Sequence, residues 1–106
     1  MTSDEVHSRL KAYRPVAADY FRACRELQKI DEAEHQALTE WVDAVLCAGA
    51  ESRAARNAAI RVTQIQQEQE DAVARTMPLG VARSEARREL MDGLRALAFA
   101  VGQALP

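Results

Sequence analysis

With 106 residues, the chain is long enough for one domain with a modest hydrophobic core. A net charge of −2 and a pI near 5.7 provide no positive field for nucleic acid or acidic membranes. There are 21 alanines, and 12 of the 14 basic residues are arginine, a composition typical of high-GC bacterial or phage genomes. The two cysteines and the polar, acidic start predict a cytoplasmic protein without a signal peptide, and no apolar run is long enough to span a membrane.

The first predicted helix covers residues 3–30. Thr2 and Glu5 have the spacing of a capping box at its start. Apolar residues then recur in alternating steps of four and three, the pattern of a helix packed on another helix: Val6, Leu10, Tyr13, Ala17, Tyr20, Cys24 and Leu27. Because this pattern keeps its phase across Pro15, we expect one helix kinked at Pro15; two helices meeting there are the alternative.

Three further helices are predicted over residues 32–48, 52–76 and 81–105. Asp31 is suited to cap the start of the second helix, and Gly49 is suited to cap its end. Ser52 is suited to cap the start of the third helix. The clearest break in the chain is Met77-Pro78-Leu79-Gly80. The expected fold is therefore all-α, an antiparallel four-helix bundle in a single domain covering residues 1–106.

An intertwined dimer is the alternative fold. Apart from Gly49, nothing between Glu32 and Thr76 opposes helix, and one glycine costs only about 1 kcal/mol relative to alanine. If the chain does not turn at Gly49, residues 32–76 form one long helix. A monomer could not cover such a helix, so a second chain would have to do so.

The last predicted helix is apolar on nearly all sides. Between Leu94 and Val101 only Arg95 is not apolar, so this helix should be central in the core or packed against a second copy of the chain. The alanine-rich composition also favours a homo-oligomer, because alanine buries little area. The predicted interface with a partner or a second copy consists of Leu94, Leu97, Phe99 and Val101, with Phe99 extending the apolar surface to a second side of the helix.

Glu32 and His35 are weak candidates for metal ligands. A carboxylate and an imidazole three residues apart share a helix face, and such pairs build di-iron sites in bundles. The predicted bundle would bring Glu26, Glu68 and Glu89 to the same level. Most of these residues flank the inward-facing positions, however, and Glu32 is a residue typical of any first helical turn. No metal or other cofactor is therefore predicted.

Arg53, Arg56 and Arg61 form the best candidate for contacts with phosphate. Only Glu51 is near enough in sequence to neutralise them. A solvated helix face is the simpler interpretation, since the chain has no recognition-helix signature and no aromatic residues interleaved with the arginines.

Two further residues, Trp41 and Gln69, are expected to face neighbouring helices. Trp41 lies on the apolar face of the second helix and is predicted to be buried. Gln69 occupies an inward-facing position of the third helix, where a polar residue can set register or partner choice. Alternatively, that half of the helix extends beyond the core into water.

The function is predicted by elimination. The chain has no Ser/His/Asp cluster, no glycine-rich phosphate loop and no zinc-ligand spacing, so it is not expected to be an enzyme. We expect a protein–protein interaction module, such as an adaptor, a secretion-type chaperone or an inhibitor, that acts through apolar helix surface and forms a homo-oligomer. The alternatives are a nucleic-acid-binding helical protein and a carboxylate/histidine metal-binding bundle.

Overall fold

The computed structural model describes residues 2–100 and 102, which contain two α-helices and no strand. Helix α1 spans Ser3–Ala48 and helix α2 spans Arg53–Ala100. The prediction of an all-helical chain is confirmed. The prediction of a four-helix bundle is wrong, because each pair of predicted helices is one continuous helix. In this part of the chain, no helix is long and apolar enough to cross a membrane.

The chain turns at Gly49. Gly49 has a φ of +95°, which a residue with a side chain rarely adopts, and its N–H donates to the Val45 carbonyl oxygen at 3.0 Å. The Ser52 hydroxyl donates to the Gly49 carbonyl oxygen at 2.7 Å and accepts from the Ala55 N–H at 3.1 Å, which caps α2. An intertwined dimer built on a continuous helix over residues 32–76 is therefore wrong.

The predicted break at Asp31 does not occur, because α1 continues through it. Aspartate inside a helix costs less than about 1 kcal/mol relative to alanine, and neither neighbour opposes helix. The Asp31 carboxylate accepts a hydrogen bond from the Gln69 side chain on α2 and caps no helix. An N-cap residue type is not sufficient to start a helix where the preceding helix has no reason to end.

Helix α2 also continues through Pro78 and Gly80, where the second break was predicted. Inside a helix, proline costs about 3 kcal/mol and glycine about 1 kcal/mol relative to alanine. Contact with α1 opposes this cost, since a Cβ atom at Gly80 would lie 3.7 Å from Cε1 of Tyr20. Packing of long helices outweighs the local penalty. Helix α1 likewise continues through Pro15, consistent with the constant phase of its apolar pattern.

The chain divides into two compact units. The first, called here the turn unit, is Ala23–Arg75. It is an antiparallel hairpin made of the second half of α1, the Gly49 turn and the first half of α2. Three buried and three partly buried side chains form its core: Ala37, Val62 and Ile65, with Ile30, Ala33 and Leu38 packed against them.

The second unit, called the terminal unit, combines α1 through Arg22 with α2 from Thr76 onward. Its two helix segments are antiparallel. Arg9 donates from Nη1 to the Glu89 carbonyl oxygen at 2.6 Å, whereas Tyr20, later in α1, lies beside Gly80, which is earlier in α2. The predicted capping box at its start is confirmed. The Glu5 N–H donates to Oγ1 of Thr2 at 3.2 Å, and the Thr2 N–H donates to Oε2 of Glu5 at 3.3 Å.

Candidate interaction surfaces

The described residues bury few large side chains. Six apolar side chains are buried, four of them alanine: Ala17, Ala37, Ala55, Ala72, Val62 and Ile65. In the same part of the chain, nine large apolar side chains are exposed: Phe21, Trp41, Val42, Leu46, Ile60, Val73, Met77, Val81 and Phe99. The alanines let the two helices approach closely, and the larger apolar groups are left outside.

An entirely apolar exposed surface lies on α1 of the turn unit. Trp41, Val42, Val45 and Leu46 line a shallow groove of ≈ 240 Å³, which we call the Trp41 surface. Their spacing places them in two adjacent rows along one side of the helix. Leu46 is 78% exposed, Val42 55% and Trp41 37%. The prediction that Trp41 is buried is wrong, because the apolar arc of α1 is wider than the single partner helix can cover.

The opposite helix of the turn unit presents a basic face. Steps of three and four residues place Arg53, Arg56 and Ile60 on one side of α2. All three side chains are exposed. Arg61 is also exposed but does not follow this spacing, so the three predicted phosphate ligands do not form a single row. Binding of phosphate by Arg53, Arg56 and Arg61 remains a prediction.

The terminal unit has a mixed aromatic and cationic cluster. The guanidinium carbon of Arg83 lies 5.7 Å from the ring centroid of Tyr20 and 5.3 Å from that of Phe21. The two ring centroids are 5.6 Å apart, with the planes inclined at 59°. The Arg83 Nε is buried and has no hydrogen-bond partner. These distances are those of cation–π contacts, which hold the Arg83 side chain against both rings.

The predicted interface of the last helix is only partly buried within the chain. Phe99 is 86% exposed, whereas Leu94 and Leu97 are half-buried. Val101 lies outside the described residues. The exposure of Phe99 excludes a completely buried helix at this position. That these residues form an interface remains a prediction.

The structure does not assemble the predicted metal layer. Glu32 and His35 are both exposed on α1. The layer also required Glu26, Glu68 and Glu89 on separate helices of a four-helix bundle, and those helices do not exist. Within residues 2–100 and 102, no three His, Cys, Asp or Glu side chains are grouped so that they could hold a metal ion.

Sequence reasoning did not identify the exposure of Val42 and Leu46. The signal was available, because apolar residues at 41, 42, 45 and 46 form a band wider than the contact stripe of a helix pair. The expected four-helix bundle hides this exposure, because it places further helices over the band.

Comparisons with models of protein families, with curated proteins and with solved structures found no match to this chain. What the chain does is therefore inferred from its own surfaces.

Proposed function

We propose that this chain is a non-enzymatic protein-interaction module whose exposed apolar helix surface is covered by helices of another polypeptide chain. One observation carries the proposal: the described chain buries mainly alanine and exposes large apolar side chains. Contiguous exposed apolar patches mark interaction sites on folded proteins. The adaptor, chaperone and inhibitor roles expected from the sequence all use a surface of this kind.

The energetic argument is strongest for the Trp41 surface. Full burial of a Val, Leu or larger apolar side chain contributes about 1.5–3 kcal/mol relative to leaving it in water. Leu46 is 78% exposed and Val42 is 55% exposed, so more than half of this contribution is still available to a complex. An amphipathic helix laid along the groove would bury these side chains in the way that helix-in-groove complexes do.

The proposed location is the cytoplasm. Cys24 and Cys47 are both free thiols, and Cys47 is exposed. A reducing compartment keeps such thiols from oxidising to disulfides.

Site-specific photocrosslinking tests the proposal. A photoreactive phenylalanine analogue replaces Leu46 in cells of the organism that encodes the chain. A second variant carries it at Glu40, which is exposed on the same helix and lies on the other side from Val42. We expect one discrete protein adduct from position 46 and a much weaker one from position 40. Equal, diffuse labelling from both positions, or no adduct from either, would contradict a dedicated interaction surface.

A further inference from the structure

We propose that the terminal unit binds single-stranded nucleic acid on a surface centred on the exposed ring of Phe21. This surface, called here the Phe21 surface, also contains four cationic side chains: Lys11, Arg14, Arg83 and Arg87. The cations would contact phosphates, and the ring would stack on an unpaired base. This inference goes beyond the proposed function and does not depend on it, because the Trp41 surface belongs to the turn unit.

The charge of the chain is unevenly distributed between its two units. In the terminal unit, residues 2–22 and 76–100 contain eight lysine or arginine residues and six acidic residues. The turn unit, residues 23–75, contains six lysine or arginine residues and ten acidic residues. The terminal unit is therefore net positive although the whole chain carries a charge of −2, and its field attracts anions where the basic side chains are grouped.

Helical spacing groups the basic side chains beside Phe21. The contact between Arg83 and the Phe21 ring defines one side of the helix pair. Arg14 is seven residues before Phe21, which places it on the same side of α1, about 10.5 Å away along the helix. Arg87 is four residues after Arg83, which places it on the same side of α2, about 6 Å away. Lys11, three residues before Arg14, extends the group along α1.

The register of the two helices brings Arg14 and Arg87 to one level. Tyr20 lies beside Gly80. From there, Arg14 is six residues back along α1, about 9 Å, and Arg87 is seven residues forward along α2, about 10.5 Å. Because the segments are antiparallel, the two displacements have the same direction. Two exposed arginines, one from each helix, therefore lie across from each other on the side that carries Phe21.

No acidic side chain neutralises the centre of this surface. The positions three, four and seven residues from Arg14, Phe21, Arg83 and Arg87 share their helix faces, and none of them is aspartate or glutamate. The two ion pairs among the described residues involve none of these side chains. The Arg83 Nε is buried without a hydrogen-bond partner. The cations are therefore available to an anionic ligand.

Phe21 favours a single strand over other anionic ligands. Phe21 is 45% exposed although its ring contacts Tyr20 and Arg83. An exposed aromatic ring beside cations suits a single strand, because an unpaired base stacks on the ring while neighbouring phosphates meet the cations. A duplex keeps its bases stacked on one another, and a phosphorylated protein or an acidic membrane has no base to offer.

Fluorescence anisotropy with labelled oligothymidylate and oligouridylate, each of about 16 nucleotides, tests the proposal, and the two probes distinguish DNA from RNA. We expect the wild type to bind at least one probe, with an affinity that falls between about 50 and 200 mM salt. Arg14→Ala and Arg87→Ala should each weaken binding about fivefold. Each should also reduce the slope of log K against log salt concentration by about 0.7, because one phosphate contact is lost.

Two further variants separate stacking from charge. Phe21→Leu keeps an apolar side chain but removes the aromatic face, so it should weaken binding about tenfold with the salt slope unchanged. Arg22→Ala is the matched control, because it removes the same charge from an arginine that is paired with Asp19 at 3.2 Å and lies about 100° around the helix from Phe21. It should change the affinity by less than about twofold. Far-ultraviolet circular dichroism checks that each variant keeps its helix content.

Four results would overturn the proposal. The first is a wild type that binds neither probe at about 50 mM salt, a result that does not depend on how the variants fold. The second is an equal loss of affinity in Arg22→Ala and Arg14→Ala, and the third is a Phe21→Leu variant that binds as tightly as the wild type. The fourth is an equal affinity for duplex DNA or heparin, which would show binding of polyanions in general, since neither presents an unpaired base.

Discussion

Gln69 on α2 donates a hydrogen bond from Nε2 to Oδ1 of Asp31 on α1, and the two atoms lie 2.5 Å apart. Gln69 is half-buried at an inward-facing position of the turn unit, and Asp31 lies at the edge of the helix contact. A hydrogen bond to a charged group at such a position favours one register of two helices over neighbouring registers. Asp31 thus connects the two helices at a place where its residue type suggested the start of a new one.

The Gln69–Asp31 bond should be measurable by a double-mutant cycle. We expect Gln69→Ala and Asp31→Ala each to lower the free energy of unfolding by about 1 kcal/mol, because a hydrogen bond to a charged group is lost. The double variant should lose about 1 kcal/mol less than the sum of the two. Urea denaturation followed by circular dichroism provides the values. Gln66→Ala, at an exposed position on the same helix, is the control and should change stability by less than about 0.5 kcal/mol. Strict additivity would show that the bond contributes nothing in solution.

Alanine substitutions at two glycines should have opposite effects. A Cβ atom at Gly80 would make an ordinary contact with Tyr20, so Gly80→Ala should stabilise α2 by up to about 1 kcal/mol through helix propensity. Gly49→Ala places a side chain at a φ of +95° and should cost about 1 kcal/mol or more. Thermal unfolding midpoints of the two variants measure the contrast. A stabilising Gly49→Ala would mean that the turn in solution differs from the one described.

Arg83 should stabilise the terminal unit through packing more than through its charge. Arg83→Ala removes its contacts with the rings of Tyr20 and Phe21 and should cost about 1 kcal/mol. Arg83→Met keeps a long flexible side chain against the rings and removes the buried Nε that lacks a partner, so its stability should equal or exceed that of the wild type.

The control for Arg83 is Arg87→Ala, at an exposed position one turn further along α2, which should change stability by less than about 0.5 kcal/mol. Chemical denaturation of the three variants separates the contributions. If Arg83→Met were as damaging as Arg83→Ala, the guanidinium charge would have to be the stabilising group.

Phe99→Glu should leave the fold intact and weaken self-association. Phe99 is 86% exposed, so its loss removes little intrachain packing. A glutamate near a helix C-terminus carries its own cost of about 0.3–1 kcal/mol from the helix dipole. Ala100→Glu is the matched control for that cost, since Ala100 is exposed at the same end. We expect the two variants to have equal free energies of unfolding. Only Phe99→Glu, and not Ala100→Glu, should self-associate more weakly than the wild type. Unfolding of Phe99→Glu alone would place Phe99 inside the folded chain.

The sequence predicted the turn correctly because a few neighbouring residues determine it. Gly49 supplies the positive φ, and Ser52 caps the next helix with an oxygen three residues before Ala55. The breaks at Asp31 and at Pro78 were wrong because contacts distant in sequence decide whether the helix continues. Asp31 and Gln69 are 38 residues apart, and no local pattern reveals such a pairing.

The same error explains what was missed on the surface. The apolar pattern around Trp41 predicts burial only if its helix has several neighbouring helices, whereas in the turn unit it has one. The polar position of Gln69, by contrast, was identified from spacing alone and does lie at the helix contact. Spacing therefore predicted which residues face a neighbouring helix, but not how many neighbours there are.

The most direct measurement is the accessibility of Trp41 to acrylamide in the purified protein, because Trp41 is the one tryptophan of the chain and lies in the proposed interface. We predict that its fluorescence is protected from quenching at high protein concentration and becomes accessible on dilution, in step with dissociation of the homo-oligomer expected from the sequence. In Leu46→Glu, with its helix content unchanged, Trp41 should be accessible at every concentration. Equal quenching of both proteins at all concentrations would contradict the account, because it would show that self-association does not cover the Trp41 surface.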